Sequence, residues 1–101
     1  MANRMDLHKI LCNMLDSTNV YFQPPENLKI SYPAIVYTLD NIDFLFADDY
    51  KYKRINRYTL TFITKDPEPS FVDDILKLDY CNFERSYVID NLNHFIFEIF
   101  W

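Results

Sequence analysis

The chain contains no glycine at all, and glycine is the residue that most readily adopts positive φ angles. Tight turns must therefore be built from Asn, Asp and Pro. A glycine-rich phosphate-binding loop is also excluded, because such a loop needs backbone without Cβ atoms close to the phosphates. The composition thus rules out the commonest nucleotide-binding loops before any residue is placed in a fold.

Cysteine and long apolar runs are scarce as well. The two cysteines, Cys12 and Cys81, lie far apart and form no CxxC motif, so we expect two free thiols, with a disulfide as the minority alternative. No apolar run approaches the ~18 residues of a membrane span. Charged residues interrupt residues 1–15, unlike a signal peptide. These features predict a protein made in the cytosol, without a membrane partner.

Basic residues are outnumbered, with 10 Lys and Arg against 15 Asp and Glu, a formal net charge of −5 and a pI of about 4.8. This balance argues against non-specific binding to a nucleic-acid backbone. Four basic residues do cluster within residues 51–57, but four aspartates lie just before them, within residues 40–49. A hairpin would place the two runs side by side, so we expect cross-strand ion pairs, within or between chains, rather than phosphate contacts.

Side chains capable of chemistry are present, but none lies in a recognisable motif. The aspartates of residues 40–49 lack the ligand spacing and the glycine of a calcium loop. His94 has no second histidine or cysteine at motif spacing, and Cys81 has no evident triad partner. His8 lies outside the apolar stripe of its helix, which predicts exposure to solvent. The sequence therefore predicts no enzyme, no metal site and no cofactor.

Apolar spacing predicts two helices and five strands. Leu7 to Leu15 form one apolar stripe of a first helix, and a short strand follows over Val20–Phe22. Residues 34–39 are apolar on both faces and continue as a bent strand through residues 40–49, while residues 51–65 alternate as the clearest strand. Ser70 resembles the N-cap of a second short helix.

The last part of the chain predicts a hairpin formed by residues 81–89 and 94–101. Because glycine is absent, Asn91 and Asn93 are the expected positive-φ residues of its turn. The whole chain, residues 1–101, is predicted to be one α+β domain. Its sheet is mainly antiparallel, with about five strands and two short helices on one face, in the order α-β-β-β-α-β-β.

The final strand carries apolar residues on both faces and is the first candidate interface. Phe95, Phe97, Ile99 and Trp101 can share one face, but Ile96 and Phe100 then face the other way. In a single copy we expect an aromatic edge open to water, which a second copy would cover. Contact between chains is favoured for Phe100 and Trp101; for Ile96, burial within one chain is an equal alternative.

The long hairpin of residues 40–57 is the second candidate interface, because it has acidic and basic arms, aromatic residues and more reach than a core requires. We expect it to contact either an adjacent subunit or a different protein of the same assembly; the alternative is a mobile surface hairpin. Its interface residues are predicted to be Phe44, Phe46, Asp48, Asp49, Tyr50, Lys51, Tyr52, Lys53 and Arg54.

Three stretches resemble one known family. They read YPAIVYTLDNID, RYTLTFITKDPEPS and LDYCNFERSYVIDNLNHFIFEIF, and a short amphipathic helix precedes them. Together they resemble the small tail-terminator, or tail-completion, proteins of long-tailed bacteriophages and prophages, over most of the chain from about Tyr32 to Phe100. Small head–tail connector and neck proteins have similar sizes and compositions, so a head-closure protein is an alternative, as is a monomeric or dimeric binding adaptor.

The resemblance implies a virion protein of the tail or neck, made in the host cytoplasm and without catalytic residues. Such a protein forms a homo-oligomeric ring, generally a hexamer, on the head-proximal end of the tail tube. The ring stops tube polymerisation and presents a surface to head-completion proteins, and genomic DNA passes through its lumen without specific binding. An acidic lumen would repel phosphates; Glu68, Asp73 and Asp74 are candidates to line it.

Overall fold

The computed structural model describes residues 4–25, 29–47 and 50–101, with side chains except those of residues 45–47 and 50–53. It confirms the α+β class and the predicted order of elements. The elements are α1 (Arg4–Leu15), β1 (Val20–Phe22), β2 (Ala34–Ala47), β3 (Tyr50–Thr64), α2 (Ser70–Leu76), β4 (Cys81–Ile89) and β5 (Leu92–Phe100).

The described strands form one sheet in the order β1-β2-β3-β5-β4. β1 pairs parallel to β2, and the other neighbours pair antiparallel. The chain passes through α2 after β3, forms β4 at the outside of the sheet, and returns as β5 between β4 and β3. This path places the last strand inside the sheet.

The core lies on one face of the sheet, where both helices pack. Tyr58 and Leu60 of β3 lie opposite Ile99 and Phe97 of β5, so their side chains share this face. They form one buried cluster with residues of both helices and of β2: Leu7, Leu11, Ile35, Tyr37, Phe71 and Ile75. A seven-residue helix such as α2 is too short to persist alone, so this burial is what holds it in place.

The opposite face of the sheet carries the side chains that alternate with the core residues along each strand. Thr59, Thr61, His94, Ile96 and Phe100 point to this side, away from the helical core. Ile96 is nevertheless only 6% exposed. Of the two alternatives for this residue, the structure therefore shows burial within one chain.

The prediction that the last strand is an open edge is wrong. β5 pairs with β3 from Asn93 to Phe100 and with β4 from Leu92 to Ile99, so both of its sides are occupied. The edge strand on this side of the sheet is β4, and β1 lies at the other edge. The sequence could not reveal this, because apolar residues on both faces of a strand are compatible with an interior position as well as with an interface.

Two local predictions also need correction. The expected positive φ is confirmed at Asn91 (63°), but the second such residue of the β4–β5 turn is Asp90 (53°), as a two-residue type I′ turn requires, and Asn93 already belongs to β5. Pro69 occupies the N-cap position of α2, without a side-chain capping hydrogen bond, and Ser70 is the first helical residue.

The Tyr32–Pro33 bond, whose isomer the sequence left open, is cis. Neither described helix is long and apolar enough to cross a membrane.

Candidate assembly surfaces

The β2–β3 hairpin extends well beyond the rest of the sheet. β2 and β3 pair from Ala34 and Ile63 to Ala47 and Tyr50, but the pairing of β3 with β5 stops at Arg57. Residues 42–47 and 50–56, here called the ribbon, therefore form only two strands in the described part of the chain. At about 3.3 Å per residue the ribbon reaches roughly 20 Å past the sheet. It contributes to an elongated molecule with extents of 51 × 28 × 24 Å.

The base of the ribbon has an irregular strand register and an ion pair. The β2–β3 register shifts between Leu39 and Asn41, so Asp40 has no regular partner there. The Nε of Arg57 donates to Oδ2 of Asp40 at 2.9 Å. Both side chains are about a third or more exposed, so the pair contributes no more than about 1 kcal/mol. Cross-strand ion pairing of the two charged runs is confirmed for this pair, within one chain.

The predicted interface residues of the hairpin fall on the ribbon or beside it. Phe44 and Arg54 lie directly opposite each other, and both are exposed. The backbone register places Phe46 opposite Lys51 and Lys53 opposite Leu45, while Tyr50 and Tyr52 lie on the same arm of β3. Asp48 and Asp49 lie outside the described residues. Their combined role as an interface remains a prediction.

The two interface residues predicted at the end of the chain, Phe100 and Trp101, lie at the base of the ribbon. Phe100 is opposite Arg57, and its N–H donates to the carbonyl of Tyr80 at 2.9 Å. The N–H of Trp101 donates to the carbonyl of Asn56 at 2.8 Å, and its ring meets that of Tyr80 edge-on at 5.1 Å. Both side chains are half-buried. Trp101 thus packs partly against its own core, and contact of either residue with a second chain remains a prediction.

The exposed sheet edge at β4 was missed by the sequence reasoning. Every residue from Asn82 to Ile89 is exposed, and Phe83 (47%), Val88 (64%) and Ile89 (54%) present large apolar surfaces. A register shift between Phe83 and Arg85 interrupts the edge, a feature that limits indiscriminate strand pairing. The sequence did contain a signal for this edge, because residues 83–89 combine apolar side chains with two adjacent charged residues, Glu84 and Arg85.

A partly buried hydrogen-bonded cluster anchors α1 to the sheet. The hydroxyl of the fully buried Tyr37 lies 3.0 Å from Nη1 of Arg4 and 2.7 Å from Nδ1 of His8. Arg4 donates to the Tyr37 hydroxyl, and burial followed by the neighbouring Arg4 charge lowers the pKa of His8. The Arg4 guanidinium also stacks 4.2 Å above the ring of Phe22. His8 is half-buried, so the expectation that it lies in solvent holds only in part; its partner lies on a distant strand.

The thiols do not form a reactive site. Both cysteines are free, and burial raises the pKa of Cys81 to about 11 and also raises the pKa of Cys12. A thiol with a raised pKa carries little of the nucleophilic thiolate at neutral pH. Among the described residues, no three His, Cys, Asp or Glu side chains come together in a metal-binding group.

Comparison with known proteins gives no family assignment. No protein-family model matches the chain, and no curated protein matches it. The surfaces above must therefore be interpreted from their own geometry.

Proposed function

We propose that this chain is a structural virion protein that forms a ring on the head-proximal end of a phage tail tube. In this role it ends polymerisation of the tube and provides the surface to which the head joins. The resemblance of residues 32–100 to tail-terminator proteins supports the proposal, as does the α+β order of elements that this resemblance implies.

The observation that carries the proposal is the ribbon. A two-stranded hairpin is marginally stable by itself in water. Six residue pairs of the ribbon, from Ile42 opposite Asn56 to Ala47 opposite Tyr50, lie beyond the part of β3 that pairs with β5. A core of this size gains nothing from such an extension, whereas a contact with a neighbouring molecule would stabilise it.

The second supporting feature is the position of the edge strand β4. The ribbon extends from β2 and β3, whereas β4 forms a separate edge on the other side of β5. A closed ring needs two different surfaces on each copy, one of which meets the other surface of the next copy. The ribbon and β4 are two different surfaces of one chain, and this arrangement suits a heterologous assembly better than a two-fold dimer.

Electron microscopy of particles produced without this protein tests the proposal. Tails of uncontrolled length, or tails unable to join heads, are expected, and wild-type protein supplied in trans should restore normal particles. Tails of normal length accompanied by leaking heads would instead indicate the head-closure role. Normal, infectious particles would contradict any structural role and would favour a binding adaptor.

A further inference from the structure

A groove of about 340 Å3 lies beside α2. Val72 of α2 and Phe95 of β5, both half-buried, contribute apolar surface, and residues 67–69 supply two prolines and Glu68. Glu68 and Asp73 are exposed at the groove. The groove therefore combines an apolar lining with two carboxylates, a combination that suits an aromatic segment carrying positive charge.

The groove lies at the end of the sheet opposite to the ribbon. Phe95 is paired with Phe62, and β3 runs from Phe62 back to Tyr50 near the tip of the ribbon. Twelve steps at about 3.3 Å per residue place the tip roughly 40 Å from the groove. A chain therefore cannot fill its own groove with its own ribbon.

The ribbon has the chemistry that the groove lacks. Its β3 arm contains Lys51, Lys53 and Arg54, interleaved with Tyr50 and Tyr52. Residues 40–57 hold four acidic and four basic residues, so the net charge of −5 resides entirely on the rest of the chain. A second copy therefore offers the basic arm a body of opposite net charge.

We propose that the ribbon of one copy docks in the groove beside α2 on the next copy. In the β2–β3 register Lys51 and Arg54 share one face of the ribbon with Phe46 and Phe44. This face supplies positive charge to Glu68 and Asp73 and aromatic surface to Val72 and Phe95. The contact is head-to-tail, and its repetition builds a ring when the rotation between successive copies closes. This inference rests on the proposed function, since it names the contact that builds that ring.

Site-specific photo-cross-linking tests the contact directly. Val72 is replaced by benzoylphenylalanine in the full chain, the protein is assembled alone and on tail tubes, and cross-linked peptides are identified by mass spectrometry. The expected adduct joins position 72 to a peptide from residues 42–56 of another copy. Assembled rings whose adducts lie elsewhere would overturn the docking contact and leave the ring function intact.

A charge swap provides the second test. Glu68→Lys with Asp73→Lys, or Lys51→Glu with Arg54→Glu, should each raise the concentration needed for half-assembly by more than about tenfold. All four substitutions in one chain should restore assembly. Asp6→Lys with Asp79→Lys is the control for the groove variant, because it changes the net charge equally at exposed positions. Lys9→Glu with Lys29→Glu is the control for the ribbon variant.

The outcomes separate the docking contact from the function. If groove reversal leaves assembly unchanged, the contact is wrong, and the expectation that Glu68 and Asp73 line the lumen is favoured. If each pair of substitutions prevents assembly and the chain with all four also fails to assemble, the two surfaces do not meet. A wild-type chain that stays monomeric at every concentration, alone and on tail tubes, contradicts both the contact and the proposed function.

Discussion

Tyr37 shows how one side chain can tie a helix to a sheet in a chain without glycine. Its ring is part of the core, while its hydroxyl holds Arg4 and His8, which lie one helical turn apart on α1. The hydroxyl at this position satisfies polar groups of the first turns of α1 where they lie against β2. The cluster therefore fixes the position of α1 on the core.

Removing the Tyr37 hydroxyl should weaken the fold without changing it. Tyr37→Phe loses two hydrogen bonds but keeps the buried ring, so we expect a loss of about 1–2 kcal/mol in the free energy of unfolding. Urea denaturation followed by circular dichroism measures this loss. Tyr87→Phe is the matched control, because Tyr87 is exposed on β4. Equal stabilities of the two variants would show that the Tyr37 hydroxyl contributes nothing.

His8 should make stability depend on pH. Its pKa is lowered in the folded protein from the ordinary 6.5, so the unfolded chain binds the proton more strongly. Its contribution is complete above about pH 6.5 and is lost as the pH falls below that value. Between pH 7.5 and 5.5 we expect wild type to lose more unfolding free energy than His8→Gln. Parallel pH profiles for the two proteins would contradict this role.

At the scale of elements, the β4–β5 turn replaces glycine with Asp90 and Asn91. Both residues hold positive φ, where Asp and Asn are tolerated and β-branched residues are not. Asn91→Val should therefore cost about 1–2 kcal/mol in unfolding free energy, whereas Asn82→Val on the exposed part of β4 should cost little. Thermal denaturation of the two variants gives the comparison, and a harmless Asn91→Val would argue against the assigned turn.

The ribbon should be dispensable for folding and required for assembly. Deleting residues 48–53 removes no member of the buried core cluster. It also leaves the hydrogen bond from Trp101 to Asn56 in place. We expect native circular dichroism, little change in melting temperature and no rings by light scattering or microscopy. Rings formed by the shortened protein would show that the ribbon is not an interface.

Several elements could be predicted because their side chains repeat with a clear period. Residues 58–62 alternate strictly, and their predicted strand is confirmed as part of β3. The order of strands in the sheet could not be predicted, because it depends on where α2 returns the chain. That limit explains why β5 was expected at an edge that belongs to β4. The partner of His8 was missed for the same reason, since a contact across 29 residues leaves no local pattern.

At the scale of the whole molecule, the distribution of charge and shape matters more than any single site. Residues 40–57 are neutral overall, so the rest of the chain carries the entire net charge of −5, and the ribbon has its basic residues on one arm. The long axis of 51 Å is about twice either other dimension, so surfaces at opposite ends are well separated. An elongated body with different surfaces at its ends is suited to repeated head-to-tail contact.

The most direct test of the account is cryo-electron microscopy of tail tubes polymerised with this protein present. We expect tubes of limited length, each capped at one end by a single ring whose density fits this α+β fold. The same tube protein polymerised alone should give longer tubes with bare ends. Tubes that grow equally long with and without the protein, and that carry no ring at either end, would contradict the proposed function.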